Sequence, residues 1–337
     1  MSATMDEGGL NRIAENLDLP RDNIVVLYTS SDRPNIYQQM RPLKKPIDVM
    51  YVIVLSFLYL ELIFRNLRQN LSFLIPTFVD ASFQKCQIFC ITRFLTDLVA
   101  SWIRDELSKI HDVLPNSVQV EKLTGDNTRM EKDRVMQNFK EGICQVLVCT
   151  DVAGMGVDIP GLNFAVNVGI PKNPWKFQQQ IGRIGRGGEK SVCISLIFPQ
   201  KGNLAPEAKL RNMLKGSACY RKGLNQMFVL EKPFIDYTKP DVIEHCDFKC
   251  CEDMGACQCS ACKCCSSCSD KCQCQLSIHD DTRMVERILG FGDDRYRYQK
   301  IEIQLLTHIF RFVERFMCDN ASDSASTCDD SDSELIH

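Results

Sequence analysis

Between residues 84 and 200 the sequence switches repeatedly between two hydrophobic periods, and few architectures accept that alternation. Gln87–Ile91, Gln145–Cys149, Phe164–Val168 and Val192–Phe198 are short apolar, β-branched runs bounded by turn residues. Between the first two, Phe94, Leu95, Leu98, Val99, Trp102, Ile103, Leu107 and Ile110 fall on one helical stripe. A second helix is expected to start near Thr128, with Glu131 three residues on as a capping box, turning Val135, Met136 and Phe139 inward. Strands alternating with helices at this spacing predict parallel β-α-β units and an α/β, doubly wound parallel sheet. Ligands bind such sheets at the carboxyl ends of the strands, where the connecting loops converge.

The flanks are less regular. A helix over Leu10–Leu17 and a strand over Ile24–Tyr28 precede residues 41–83, which begin basic and continue apolar without a clean period. Residues 205–275 hold a basic helix and a cysteine cluster, residues 276–318 read as helical, and residues 319–337 are an acidic, serine-rich tail expected to be disordered. With 45% hydrophobic residues the chain as a whole is not disordered, and a net charge of −3 excludes a basic coat, so any nucleic-acid binding must come from a local patch. No secretory signal is expected in Met1–Gly9. The apolar run Val49–Leu60 would span about 18 Å as a helix, short of a hydrocarbon core of roughly 30 Å. A soluble, reducing location follows as the expectation. Of 19 cysteines, 11 fall between Cys246 and Cys274, and in that setting dense thiols point to metal rather than disulfides.

Two loops carry the chemistry. Gln178-Gln179-Gln180-Ile181-Gly182-Arg183-Ile184-Gly185-Arg186-Gly187-Gly188 puts two guanidiniums three residues apart among glycines. Arginine forks bind phosphate oxygens bidentately, and glycine permits close backbone approach. A basic surface turn would have the same composition. Upstream, Thr150-Asp151-Val152-Ala153-Gly154-Met155-Gly156-Val157-Asp158-Ile159-Pro160 follows a strand and offers a hydroxyl, backbone amides and a carboxylate at the ligand end of the sheet.

Together these loops resemble motifs V and VI of superfamily 2 helicases, and the surroundings resemble the RecQ-like branch. Ile88-Phe89-Cys90-Ile91-Thr92-Arg93 resembles motif IV, and Leu123-Thr124-Gly125-Asp126 with Arg134 and Phe139 has the spacing that precedes motif V. Ser31-Asp32-Arg33-Pro34-Asn35 resembles the signature between the two RecA-like lobes, and Ser2-Ala3-Thr4 resembles motif III. On this resemblance residues 1–40 are a remnant of the first lobe with the interlobe signature, 41–83 an atypical insert, and 84–204 the C-terminal RecA-like lobe. Residues 205–275 would then be a zinc subdomain. The resemblance implies that Arg186 is the arginine finger on an ATP γ-phosphate, with Arg183 and Gln179 beside it. Asp158 would couple nucleotide to the strand, and Thr150, Gly154 and Gly156 would face ATP and the nucleic-acid backbone. Ile184 stands where a small residue is usual.

The resemblance also implies a zinc module opened by Cys219-Tyr220-Arg221-Lys222 and closed by His245-Cys246-Asp247-Phe248-Lys249-Cys250-Cys251, with Cys219, Cys246, Cys250 and Cys251 as ligands and His245 as a substitute. The thiols from Cys257 to Cys274 then exceed one site and could hold a second zinc or form an exposed tail. Lys209, Arg211, Lys215, Arg221 and Lys222 would form a basic face. No phosphate cradle of the form Gly-x₄-Gly-Lys-Ser/Thr is present, and Asp105-Glu106 imitates the metal-binding acids from the polar side of a helix. The expectation is therefore a nuclear, ATP- and Mg²⁺-dependent 3′-to-5′ DNA helicase of the RecQ-like type whose first lobe is missing and which alone hydrolyses no ATP. Its expected partner is DNA at a single-strand/duplex junction, with no membrane. A non-catalytic nucleic-acid-binding or partner-docking fragment is the alternative. A cysteine-rich metal buffer explains only the cysteine cluster.

Overall fold

Six parallel strands in one sheet account for the alternating periods. The computed structural model describes residues 7–20, 26–28, 31–43, 68, 70–79, 83, 85–109, 118–151, 158–216, 218–228, 234–236 and 264–271. The chain divides into two compact units, Met1–Gly292 and Asp293–His337, and every described residue lies in the first. In chain order the described elements are α1 (Glu7–Asn16), β1 (Val26–Tyr28), β2 (Ile36–Pro42), α2 (Leu74–Val79), β3 (Cys86–Cys90), α3 (Arg93–Ser108), β4 (Val120–Leu123) and α4 (Arg129–Glu141). They continue with β5 (Val146–Cys149), β6 (Phe164–Val168), α5 (Pro174–Ile181), β7 (Ser191–Ile197), α6 (Ala208–Lys215), α7 (Tyr220–Gln226), β8 (Phe234–Asp236) and α8 (Ser266–Lys271). The sheet order is β2-β7-β6-β3-β5-β4, and β1 pairs separately with β8.

β3, β5 and β6 are buried at every position because helices cover both faces, which is why their sequences read as continuous apolar runs rather than alternations. On one face Phe89, Leu147, Ala165 and Cys193 pack with Val135 and Phe139 of α4, Phe177 and Ile181 of α5, Leu210 of α6 and Leu224 of α7. The alternate residues Ile88, Val148, Val166 and Ile194 are fully buried as well, pointing to the opposite face by the period of two. α3 buries Leu95, Leu98, Val99, Trp102 and Ile103 on the expected stripe. The Thr128–Glu131 capping box forms with both reciprocal hydrogen bonds, and Gly142 ends that helix at φ 80°. Ile184 is fully buried among the core side chains, so its bulk fills the turn it sits in.

Three expectations change. β2 joins the sheet, pairing along its whole length with β7, so the lobe includes residues 36–42, across the boundary placed at 40/41. Its sequence, Ile-Tyr-Gln-Gln-Met-Arg-Pro, has buried Gln38 among its apolar residues and gives no clean strand signal. Glu106 is buried rather than on a polar helix side, because Arg68 Nη2 (2.7 Å) and Lys109 Nζ (3.0 Å) pair with it. Arg221 is also buried instead of contributing to a basic face, while Lys209, Arg211, Lys215 and Lys222 are exposed. Residues 276–318 and 319–337, the run Val49–Leu60 and Ser2-Ala3-Thr4 lie outside the described residues. Among the described residues no helix is long and apolar enough to cross a membrane.

Candidate nucleotide face and thiol cluster

The loops expected to carry chemistry meet beside the sheet. Thr150 follows β5, its amide bonded to the Leu123 carbonyl at 3.1 Å. Asp151 next to it accepts from Lys176 Nζ at 2.6 Å and Gln180 Nε2 at 2.9 Å, tying this loop to α5. Asp158 lies 3.1 Å from Arg186 Nη1, an exposed pair that links the two loops. Gln179 and Arg183 are half-buried on α5 and the turn after it. Asp158 and Arg186 are therefore in contact, and Arg183 lies close enough to Arg186 and Cys149 to feel both, whereas Gly154 and Gly156 lie outside the described residues.

The arginine turn has a brace that the motif reading did not foresee. Arg33 donates to the Gly185 carbonyl and, at 3.3 Å, to the Ile184 carbonyl. Asn35 Nδ2 donates to the carbonyls of Gly185 and Glu189, each at 2.8 Å, while the Asn35 carbonyl accepts from the Ser191 amide at 2.9 Å. Gly185 sits at φ 58°, and a Cβ there would run into Ser191 Oγ and come within 2.6 Å of Asn35 Nδ2. Only glycine fits. The guanidiniums of Arg33 and Arg183 both have pKa values lowered, first by burial and then by the charge of Arg186. Three clustered cations, two of them partly desolvated, favour a multiply charged anion. The signal for the brace was present in Ser31-Asp32-Arg33-Pro34-Asn35, but nothing in the spacing says which backbone it holds.

The second centre is made of thiols. Sγ atoms of Cys219, Cys264, Cys265 and Cys268 all lie within 4.8 Å of one another, with Cys219–Cys264 at 3.5 Å and Cys219–Cys265 at 3.9 Å. A tetrahedron with metal–sulfur bonds of about 2.3 Å has edges of about 3.8 Å, so this set fits a tetrahedral soft cation. Hydrogen bonding among the thiols, Cys264 foremost, lowers the Cys219 pKa to about 7, and Cys265 is lowered by its hydrogen bonding with Cys219, Cys264 and Cys268. Cys219 is a ligand candidate as expected. Its expected partners Cys246, Cys250 and Cys251, and His245, lie outside the described residues. The thiols beside Cys219 come instead from the stretch treated as surplus, brought there because residues 264–266 lie along β2. The Gln38 amide donates to the Cys264 carbonyl at 3.2 Å, and the Met40 amide to Ser266 Oγ at 3.1 Å.

A family model described as "Helicase conserved C-terminal domain" matches residues 70–188. The chain is 34% identical over 117 residues to "ATP-dependent RNA helicase FAL1" of Kluyveromyces lactis, covering 35% of this chain and 27% of that protein. It is 29% identical over 109 residues to "ATP-dependent RNA helicase ROK1" of Eremothecium gossypii (32% and 19% covered), and 38% identical over 97 residues to "ATP-dependent RNA helicase CshA" of Listeria monocytogenes (29% and 18% covered). The chain thus spans between 18% and 27% of the length of these relatives. Among solved structures, S. cerevisiae Dbp5 bound to RNA and ADP BeF3 superposes with a TM-score of 0.46 at 20% identity, over 70% of this chain and 50% of that one.

The parallel sheet is that of a RecA-like helicase C-terminal lobe. The RecQ-like resemblance is overturned, because these relatives are RNA helicases. The DNA partner, the 3′-to-5′ DNA polarity and the recombination and repair role fall with it. The physical reason for the misreading is that motifs IV to VI bind phosphates and a sugar-phosphate backbone, which RNA and DNA share.

Proposed function

We propose that this chain supplies the C-terminal RecA-like lobe of an ATP-dependent RNA helicase. The observation that carries the reading is the convergence of Arg33, Arg183 and Arg186 on one glycine turn, with Asp158 and the Thr150 loop alongside. Arg186 is the group for the γ-phosphate of Mg²⁺-ATP held by a nucleotide-binding partner lobe. Arg183 and Gln179 stand beside it, and Asp158 releases Arg186 when phosphate arrives. For Thr150, Gly154 and Gly156 the role that follows is contact with ATP and the RNA backbone. The lobe extends from residue 36 through the sheet to about residue 204, with a cysteine module after it.

For that module we infer one structural zinc on Cys219, Cys264, Cys265 and Cys268. The support is the donor set: four sulfurs within 4.8 Å of one another, at spacings that suit a tetrahedral soft cation. Bound zinc would neutralise thiolate repulsion and cross-link two distant segments.

Fluorescence anisotropy with single-stranded RNA and DNA of one sequence tests the substrate class. The full chain should prefer RNA and weaken with salt; equal binding to both would remove the RNA reading. When a nucleotide-binding lobe is supplied in trans, Arg186→Ala should cut RNA-stimulated ATP hydrolysis by about 10³-fold or more while RNA binding persists. Metal analysis of the purified chain should return zinc, diminished by Cys265→Ser.

A further inference from the structure

We propose that the metal held by the thiol cluster sets the order of the arginine turn, acting through the clip Ser31–Asn35. The inference rests on the zinc reading above and extends it from a structural cross-link to a control on Arg183 and Arg186.

The clip is anchored at both ends by elements that carry the cluster's sulfurs. Upstream, Cys219 caps α7, its sulfur accepting from the Lys222 amide at 3.4 Å. Two residues on, Arg221 Nε lies 2.9 Å from Asp32 Oδ1, and both side chains are less than a tenth exposed. Asn225, one turn further along α7, accepts from Ser31 Oγ at 3.4 Å, while Gln178 Nε2 of α5 donates to the Ser31 carbonyl at 2.7 Å. Downstream, the clip runs directly into β2, whose outer edge is covered by the Cys264–Ser266 turn. Three of the four sulfurs are on that turn or the helix after it.

A buried ion pair such as Asp32–Arg221 adds little net stability against a hydrophobic alternative but severely penalises separation of its partners. It therefore transmits the position of α7 to the clip. From the clip, Arg33 and Asn35 hold the Gly185 carbonyl between Arg183 and Arg186. A metal bonded to Cys219 on one side and Cys264, Cys265 and Cys268 on the other closes the ring α7–clip–β2. Without it, α7 and the Cys264–Ser266 turn are joined by thiol contacts and by Tyr220 packed against the cysteines, and the ring opens at this side. Arg33 and Asn35 are positioning residues for the arginines in this arrangement, and the metal acts through them.

Hydrogen exchange on the full chain tests this, with zinc content measured on the same samples. With zinc bound, a zinc chelator should speed exchange of the amides from Arg183 to Gly188 by about tenfold, while β3, β5 and β6 keep their protection. In the zinc-loaded chain, Arg33→Met should produce a similar acceleration in the turn with zinc content unchanged. If zinc binds but chelation loosens only α7 and residues 264–271, the coupling is wrong and the zinc site stands. Failure to bind zinc overturns both. Loss of protection across the whole sheet would also overturn the coupling, since the metal would then hold the fold rather than the turn. An Arg33→Met variant with an undisturbed turn would exclude the clip as the connection.

Discussion

Among the described residues, five buried cysteines in the sheet body and four at its edge show how far environment decides what a thiol does. Cys86, Cys90, Cys144, Cys149 and Cys193 sit in or beside strands among apolar side chains, and burial pushes their pKa values up, to about 11 for Cys144 and about 12 for Cys149 and Cys193. At the edge, Cys219 falls to about 7 because neighbouring thiols donate to it. The body uses cysteine as a small hydrophobe; the edge uses it as a ligand. One residue type thus provides packing in one region and a cross-link in the other.

The largest expected contrast is in reactivity. After chelation under native conditions, an alkylating reagent near neutral pH should modify the half-exposed Cys219 at least about a hundredfold faster than the buried Cys149 or Cys193, since an accessible thiolate is the nucleophile. Peptide mass mapping reads the sites, and comparable rates in both groups would break the distinction. With zinc present, the edge thiols should become slow too.

Substitution separates the regions next. Cys149→Ser places a hydroxyl in the core beside Gln87 Nε2, 3.5 Å from the present sulfur, and should destabilise by about 1–3 kcal/mol without changing zinc content. Cys265→Ser should reverse the pattern, losing zinc while the sheet remains folded. Calorimetry and metal analysis on both variants settle whether the edge is separable from the body.

Gly185→Ala lies between the two regions. Its positive φ and the closeness of Asn35 predict a loss of about 1–3 kcal/mol, from strain and displacement of the clip. Its midpoint should shift by the same amount with or without chelator only if the clip were independent of the metal; we expect the cost to shrink once zinc is removed and the clip loosens.

The smallest effect belongs wholly to the body. Thr128→Ala removes the cap of α4 and should cost about 1 kcal/mol, indifferent to chelation. Hydrogen bonds from the Thr128 backbone and side chain hold the Glu131 carboxyl below its ordinary value of 4.5. Its contribution is therefore complete above that value and is lost as pH falls through the lower folded pKa. The difference between wild type and variant, followed by thermal melts, should narrow in acid.

Much of the body was legible because its signals are local. The four expected strands appear within a residue or so of their positions, the α3 stripe is buried from Leu95 to Ile103 with Ile110 outside the described residues, and the Thr128 capping box forms. β4 and β2 were not anticipated. Val120–Leu123 is four residues with Glu121 and Lys122 between its buried ends, and β2 buries glutamine, so neither has enough apolar contrast to stand out. Among site residues, Asp158 meets Arg186, and Asp151 after β5 bonds to Lys176 and Gln180 of α5, although β3 lies between β5 and β6 in the sheet. The RecQ-like DNA reading is overturned by relatives named as RNA helicases, and residue types suited to phosphate carry no information on the sugar.

Hydrophobic period and helix caps, which act over a few residues, determined by themselves that this chain builds a parallel α/β sheet with an arginine-glycine turn beside its loops. Tertiary structure alone decided that Cys219 meets Cys264, Cys265 and Cys268, that Arg221 turns inward to Asp32, and that Arg33 and Asn35 clamp Gly185. Those contacts join residues some 45 to 190 positions apart. The cysteine contacts follow from β2 taking the sheet edge, where the Gln38 and Met40 amides bond to Cys264 and Ser266, since an edge is covered by whatever segment can hydrogen-bond to it.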